Sequence, residues 1–325
     1  MTQDRPLLGV MLMLGFCFLA PLGDGLAKHL GETIPVAQLV TVRFVLQVVF
    51  LLPVALWAGT SLYMPGPVMA LVALRTGLHI LGVSTMFLSL RFLPLADALA
   101  IAFVMPFLML LLGKYVLGEE VGPRRLIACA VGFGGTLMVI KPSFAEVGLP
   151  ALLPLVVAVA FALFMLVTRK IAKACDPVAL QAVSGMMASA LLVPLLMLAH
   201  LGDWSSLAPV TPGISEAGLL LVLGAIGSAA HLLMTWSLRF APSATLAPMQ
   251  FLEIPFATAI GWLFFRDLPD GMAAAGIVLT IASGLYVIFR ERSLALTPPP
   301  AGLRSPHQVA PGAGSPASPD RTRTG

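Results

Sequence analysis

SLRFLPLADALAIAF at residues 89–103 returns 148 residues later as SLRFAPSATLAPMQF at 237–251, with seven of fifteen positions identical. At the same shift Gly113 falls on Gly261, Leu137 on Leu285, Val139 on Val287 and Ile140 on Ile288, while Glu119 meets Asp267. A shift of 141 relates the earlier parts and places Lys28 on Arg169 and Pro53 on Pro194. The two shifts differ by seven residues, the size of a change in loop length, so the chain reads as one unit used twice.

The unit is built for lipid. Of 325 residues, 58% are apolar and 10% charged, where a soluble domain carries about 25% charged residues. Mean hydropathy is +0.97. Such a chain cannot cover itself with a polar surface, so it is an integral membrane protein. Its net charge of +4 therefore sets topology and does not point to nucleic acid. A helix needs about 20 apolar residues to cross the hydrocarbon core, and only helices or closed barrels satisfy their backbone there. Cutting at charges and Pro/Gly clusters predicts ten helices: 7–28, 36–57, 68–90, 95–117, 123–141, 149–170, 178–200, 215–238, 243–265 and 271–290. No small-x-small site ends at Ala20, before Pro21, and the apolar run continues past it, so it is read as a retained membrane helix.

Positive residues orient the array. With the N-terminus inside, Arg5, Arg75, Arg124, Arg125, Arg169, Lys170, Lys173, Arg239, Arg290 and Arg292 fall at cytoplasmic ends. Lys28, Arg91, Lys141 and Arg266 fall outside, which puts both termini in the cytoplasm of an inner-membrane protein. Five crossings per copy make the second copy enter from the opposite face. The expected fold is all-α, with ten transmembrane helices forming two inverted five-helix repeats over 1–145 and 146–292. Beyond residue 293 the Pro-, Gly- and Ser-rich tail is expected to be disordered. Inverted repeats are the architecture of secondary transporters, whose substrate binds between the halves.

Several stretches carry a family resemblance: DGLAKHL (24–30), VRF (42–44), RFLPLADA (91–98), LGEEVGPRRLIACAVGFGGTLMVIKP (117–142), FALFMLVTRK (161–170) and APMQFLEIPFATAIGWLFFRDLPD (247–270). The chain resembles EamA-type carriers of the drug/metabolite transporter superfamily, with the last stretch most similar to the S-adenosylmethionine and riboflavin uptake subgroup. That resemblance implies a cavity walled by helices 1, 3, 4, 6, 8 and 9, alternating access, and helices 5 and 10 as scaffold. Gly132, Gly134 and Gly135 in helix 5, with Gly276, Ser283 and Gly284 in helix 10, suit such close packing independently. GFGG lacks the Lys-Ser/Thr of a phosphate loop.

Ionisable groups within spans cost about 3 kcal/mol each by insertion scales, so each is a candidate for function. Glu253 is foremost, ten residues into the ninth span, on one face with Gln250 and beside Pro255. Its counterpart in the first copy is Met105, followed by Pro106, so both spans are expected to break at a proline while only one carries a carboxylate. Arg43 in the second span is expected to pair with Asp24 of the first. His79, His231 and Trp236 are candidate cavity residues, whereas Lys28 reads as an interfacial anchor and Asp97 as a helix-start carboxylate. Cys17, Cys129 and Cys175 are scattered and read as packed thiols, with no metal site and no cofactor.

The expected protein is a secondary transporter, not an enzyme. Its partners are a small polar metabolite, the lipid bilayer and a coupling proton. The candidate substrates are S-adenosylmethionine, a riboflavin-like compound, or an amino acid or amine. A membrane-embedded lipid-modifying enzyme or a non-transporting membrane protein is the alternative; such an enzyme would call for clustered carboxylates or H-E-x-x-H, and the chain has no H-E-x-x-H and one D-x-x-D, Asp267 to Asp270, between two predicted spans.

Overall fold

A computed structural model describes residues 5–118, 122–202, 207–269 and 271–295. Among them the protein is all-helical. The expected tail and the Glu119 half of the Glu119/Asp267 match lie outside the described residues.

Twelve α-helices follow in order: α1 (Pro6–Leu30), α2 (Val36–Trp57), α3 (Gly66–Ser89), α4 (Leu95–Ala102), α5 (Met105–Val116), α6 (Pro123–Val147), α7 (Leu153–Ile171), α8 (Pro177–Leu201), α9 (Ile214–Phe240), α10 (Ser243–Leu246), α11 (Glu253–Ile260) and α12 (Gly271–Ala295). Their starts are legible in local chemistry. Proline sits in the first two positions of α1, α3, α5, α6, α7 and α8, where a missing N–H costs nothing. Asp176 caps α8 by accepting from the amides of Val178 and Ala179. Seven segments are long and apolar enough to cross a membrane: Leu7–Leu30, Val36–Trp57, Gly66–Ser89, Leu95–Val116, Leu149–Ile171, Pro177–Leu201 and Ile214–Phe240. Leu126–Met138, Met249–Phe265 and Gly271–Ser283 are shorter apolar helices.

Two predicted spans are broken, and the same chemistry breaks both. The 95–117 span divides at Phe103–Val104 into α4 and α5, leaving Pro106 in the first turn of α5. The 243–265 span runs from α10 through a 3-10 segment, Ala247–Leu252, into α11, where Pro255 again occupies the first turn. Proline lacks the donor that would join its helix to the preceding turn, so the regular ladder restarts before it. α11 then widens into π-type turns over Gly261–Phe265 and stops at Arg266, whose φ is 58°. Helix α6 departs the other way and runs to Val147 rather than ending near residue 141.

Packing is pairwise. α1 lies along α9, α2 along α8, α3 along α7 and α6 along α12, while α4 meets α11 and α5 meets the 3-10 segment. The lipid side carries bare apolar side chains such as Leu56, Leu191, Met197, Leu198 and Val278. Polar residues turn inward, as a membrane solvent requires.

The α6–α12 seam is tightly packed. A Cβ on Gly135 would lie 2.5 Å from the Gly276 carbonyl oxygen, and Thr280 donates to the carbonyls of Gly276 and Gly132 at 2.9 and 3.2 Å. Gly135→Ala should therefore force the helices apart and destabilise the protein by about 1–3 kcal/mol, the cost of overpacking a tight core. The check is the thermal unfolding midpoint in detergent; an unchanged midpoint would mean the seam has slack.

Candidate functional site

Helices α1, α2, α3, α4, α5, α7, α9 and α11 surround one internal cavity of about 80 Å³. Its lining is apolar except for four ionisable side chains: Asp24 on α1, Arg43 on α2, His231 on α9 and Glu253 on α11. Glu253 opens α11, where the preceding break positions it, and is 5% exposed. Its Oε1 has no hydrogen-bond partner among the described residues.

Arg43 does not form the expected ion pair with Asp24. The two share the cavity lining, but Arg43 Nη2 donates instead to His231 Nδ1 at 2.9 Å. Room for this comes from Gly227, where a Cβ would stand 2.7 Å from Arg43 Nε. A guanidinium only donates, so Nδ1 accepts and the hydrogen of His231 sits on Nε2. The Gly227 carbonyl, 3.1 Å from the same nitrogen, would bind it only in the other tautomer, which sets an N–H against a guanidinium. Arg43 Nη1 and His231 Nε2 are buried without partners among the described residues.

The remaining expected residues lie outside the lining. Gln250 is in the 3-10 segment, where each residue rises about 2 Å. It sits below Glu253 and donates to Met165 Sδ at 3.1 Å. Trp236 follows His231 by five positions, about 140° around a helix, and only His231 reaches the cavity. His79 stacks behind, 4.3 Å from the His231 ring and 4.7 Å from Phe164, with both ring nitrogens unpartnered among the described residues. Pro106 and Pro255 mark the two breaks and do not line the cavity.

Sequence reading counted Arg75 among the charges at cytoplasmic ends, which face water, and the structure corrects its exposure. Arg75 is fully buried and joins four helices. Its Nε and Nη1 donate to Thr168 and Ser184 hydroxyls at 2.8 Å, and Nη2 to Thr235 at 3.4 Å. The guanidinium lies 4.4 Å from the Phe164 ring. No carboxylate bonds to it among the described residues. A polar column continues from this knot: Gln181 donates to Thr235 and to the His231 carbonyl, and Gln47 donates to the Gln181 carbonyl. The signal available for Arg75 was its place seven residues inside a predicted span, sharing a helical face with His79 at i+4.

The two ends of the bundle are fastened differently. Beyond Arg75, Arg169 donates to the Leu238 carbonyl at 2.7 Å, Arg239 to that of Cys175 at 3.2 Å, and Ser237 to that of Gly9 at 2.7 Å. At the other end Lys28, expected to be an interfacial anchor, forms a 2.7 Å salt bridge with Asp267 and lies over the Phe265 ring. That pair is partly exposed, and such pairs contribute about 1 kcal/mol or less.

Both copies of the sequence repeat match one family model, the EamA-like transporter family, over residues 7–141 and 148–290. The chain is 23% identical over 278 residues to an S-adenosylmethionine uptake transporter of Rickettsia prowazekii, covering 83% of this chain and 89% of that one. It is 26% identical to a riboflavin transporter of Brucella anthropi, covering 78% and 88%. It is also 26% identical to the pseudopaline exporter CntI of Pseudomonas aeruginosa, covering 87% and 96%. One crystal structure shares the fold with a TM-score of 0.62 at 20% identity, over 89% of this chain and 98% of that one. With both halves of the chain matched, this multi-pass membrane protein belongs to the EamA-like transporter family of the drug/metabolite transporter superfamily.

Proposed function

We propose that the protein is a secondary active transporter of a small polar metabolite, working by alternating access in the bacterial inner membrane. On this reading its helices form ten spans in two inverted repeats, 1–145 and 146–292, with both termini cytoplasmic. The observation that carries it is a cavity holding Asp24, Arg43, His231 and Glu253, walled by α1–α5 from one family-matched segment and α7, α9 and α11 from the other. Charged groups are kept away from water between two halves only at considerable cost, which makes them candidates for a substrate site.

At about 80 Å³ the cavity is smaller than the roughly 300 Å³ of a typical ligand pocket. A metabolite therefore enters only when one end opens. The partly exposed Lys28–Asp267 end is the weaker closure, and the buried Arg75 knot the stronger, so this conformation opens first beside Lys28. In the proposed orientation that is the outer face. S-adenosylmethionine, a riboflavin-like compound, and an amino acid or amine are the candidate substrates, and Glu253 is the group through which a proton would couple.

Purified full-length protein in liposomes should accumulate one of these radiolabelled compounds in counterflow against its unlabelled form. Failure with every one, by protein that stays monodisperse, would remove the transport reading.

A further inference from the structure

A second cavity, of about 340 Å³, lies along the lipid side of the α6–α12 seam. Helix α6 contributes Arg124, Ile127, Ala128 and Val131 to it, and α12 contributes Leu279, Ala282, Ser283 and Tyr286. Both sets follow the spacing i, i+3, i+4, i+7, so each helix offers one continuous stripe. The short side chains of Ala128, Ala282 and Ser283 form the floor of a trench, and the exposed Ile127, Val131, Leu279 and Tyr286 form its walls. Across the seam Gly132 faces Ser283 and Gly135 faces Thr280, which sets Leu279 level with Thr136 of α6. From Arg124 to that level is about twelve residues of helix, or roughly 18 Å, against about 15 Å for the hydrocarbon of one leaflet. The trench therefore runs from the membrane surface to near the midplane. Arg124, the second residue of α6, stands exposed at its surface end.

We propose that the trench is a specific binding site for an anionic glycerophospholipid. The lipid phosphate pairs with the Arg124 guanidinium, whose planar fork suits phosphate oxygens, and one acyl chain lies along the apolar walls. Tyr286 is the wall residue of α12 nearest that end, where an amphipathic ring meets lipid headgroups. In the sequence these helix ends hold Arg124, Arg125, Arg290 and Arg292 against Glu119, Glu120 and Glu291, an excess of positive charge that suits an anionic headgroup. In the proposed orientation the headgroup lies in the cytoplasmic leaflet. A second copy of the chain fits the trench less well. Inserted the same way round, a two-fold partner brings its own Arg124 to the same depth and sets like charges together. Helix α6 starts in the family-matched segment 7–141 and α12 in 148–290, so the bound lipid bridges the two halves at their seam. The central cavity, lined by Asp24 and Glu253, is a separate site.

The test is native mass spectrometry of the delipidated full-length protein, titrated with dioleoyl phosphatidylglycerol, dioleoyl phosphatidylcholine or glycerol 3-phosphate. The first phosphatidylglycerol should bind about ten-fold more tightly than the first phosphatidylcholine. Arg124→Gln should weaken it about five-fold, the worth of one basic residue at an anionic membrane surface. Ala282→Phe, at an exposed position of the trench floor, should fill the trench and weaken it about ten-fold. Both positions are exposed, so both variants should keep the native unfolding midpoint. Lys170→Gln, which removes an exposed charge at the end of α7, is the control and should change neither affinity. Equal binding of the two lipids overturns the proposal, as does a phosphatidylglycerol affinity that either trench variant leaves unchanged or that Lys170→Gln lowers as much as Arg124→Gln. Glycerol 3-phosphate binding as tightly as the lipid also overturns it, because the acyl chain would then contribute nothing. A dimer in detergent that Ala282→Phe converts to monomer would give the trench to a second copy and remove the lipid. No readout involves transport, so the lipid site and the transport reading stand or fall separately.

Discussion

Arg75→Ala should destabilise the protein by about 3 kcal/mol, the scale of a large buried side chain cut to a methyl group. Three bonds that tie α3 to α7, α8 and α9 disappear, together with the contact on Phe164, and a void remains. The hydroxyls are not the main cost. Thr168 and Thr235 also donate to carbonyls of their own helices, at 2.6 and 2.7 Å, and stay satisfied. Arg75→Met separates volume from charge. It fills most of the space and relieves the desolvation of an unpaired guanidinium, so its unfolding midpoint should return close to the native value. Counterflow should still fall at least ten-fold, because the fork that holds three helices at that end is gone. Native transport rates in Arg75→Met would show that the knot is ordinary packing and does not close the cavity.

Glu253→Gln should lower counterflow ten-fold or more while leaving the unfolding midpoint unchanged or slightly raised. The substitution keeps the size of the side chain and removes the charge. A buried carboxyl with one unpartnered oxygen costs stability in the native protein, so its loss costs none. If protons couple through this residue, the pH dependence of transport should flatten in the variant. Full pH-dependent transport by Glu253→Gln would assign coupling elsewhere. The same midpoint measurement guards against misreading a folding defect as a transport defect.

Much of this protein is written in the chain itself. Membrane residence follows from a composition too apolar for a water-facing surface, and most helix boundaries follow from prolines, glycines and charges at their ends. The helix breaks were legible because Pro106 and Pro255 act locally, each removing one donor from its own backbone. Four residues of the cavity, Asp24, Arg43, His231 and Glu253, were found by the cost of placing them in lipid. That cost depends on depth along a helix, which sequence supplies.

Pairing was not legible, because it depends on which helices become neighbours. Arg43 was assigned to Asp24 by similar depth, yet Gly227 lets α9 approach so closely that His231 takes the guanidinium. Gln250 was placed on one face with Glu253, which a 3-10 segment preserves, but its bond to Met165 was not legible. Arg75 was misread for a related reason. Counting positive charges near span ends treats each as facing water, and Thr168, Ser184 and Thr235, each on a different helix, hold this one inside. Backbone hydrogen bonding and side-chain hydropathy act within a segment, so the helical character of the chain was legible in its sequence. The partners of the buried charges were decided only when distant segments packed, because electrostatic and hydrogen-bond energies depend on distances that one strand of sequence does not contain.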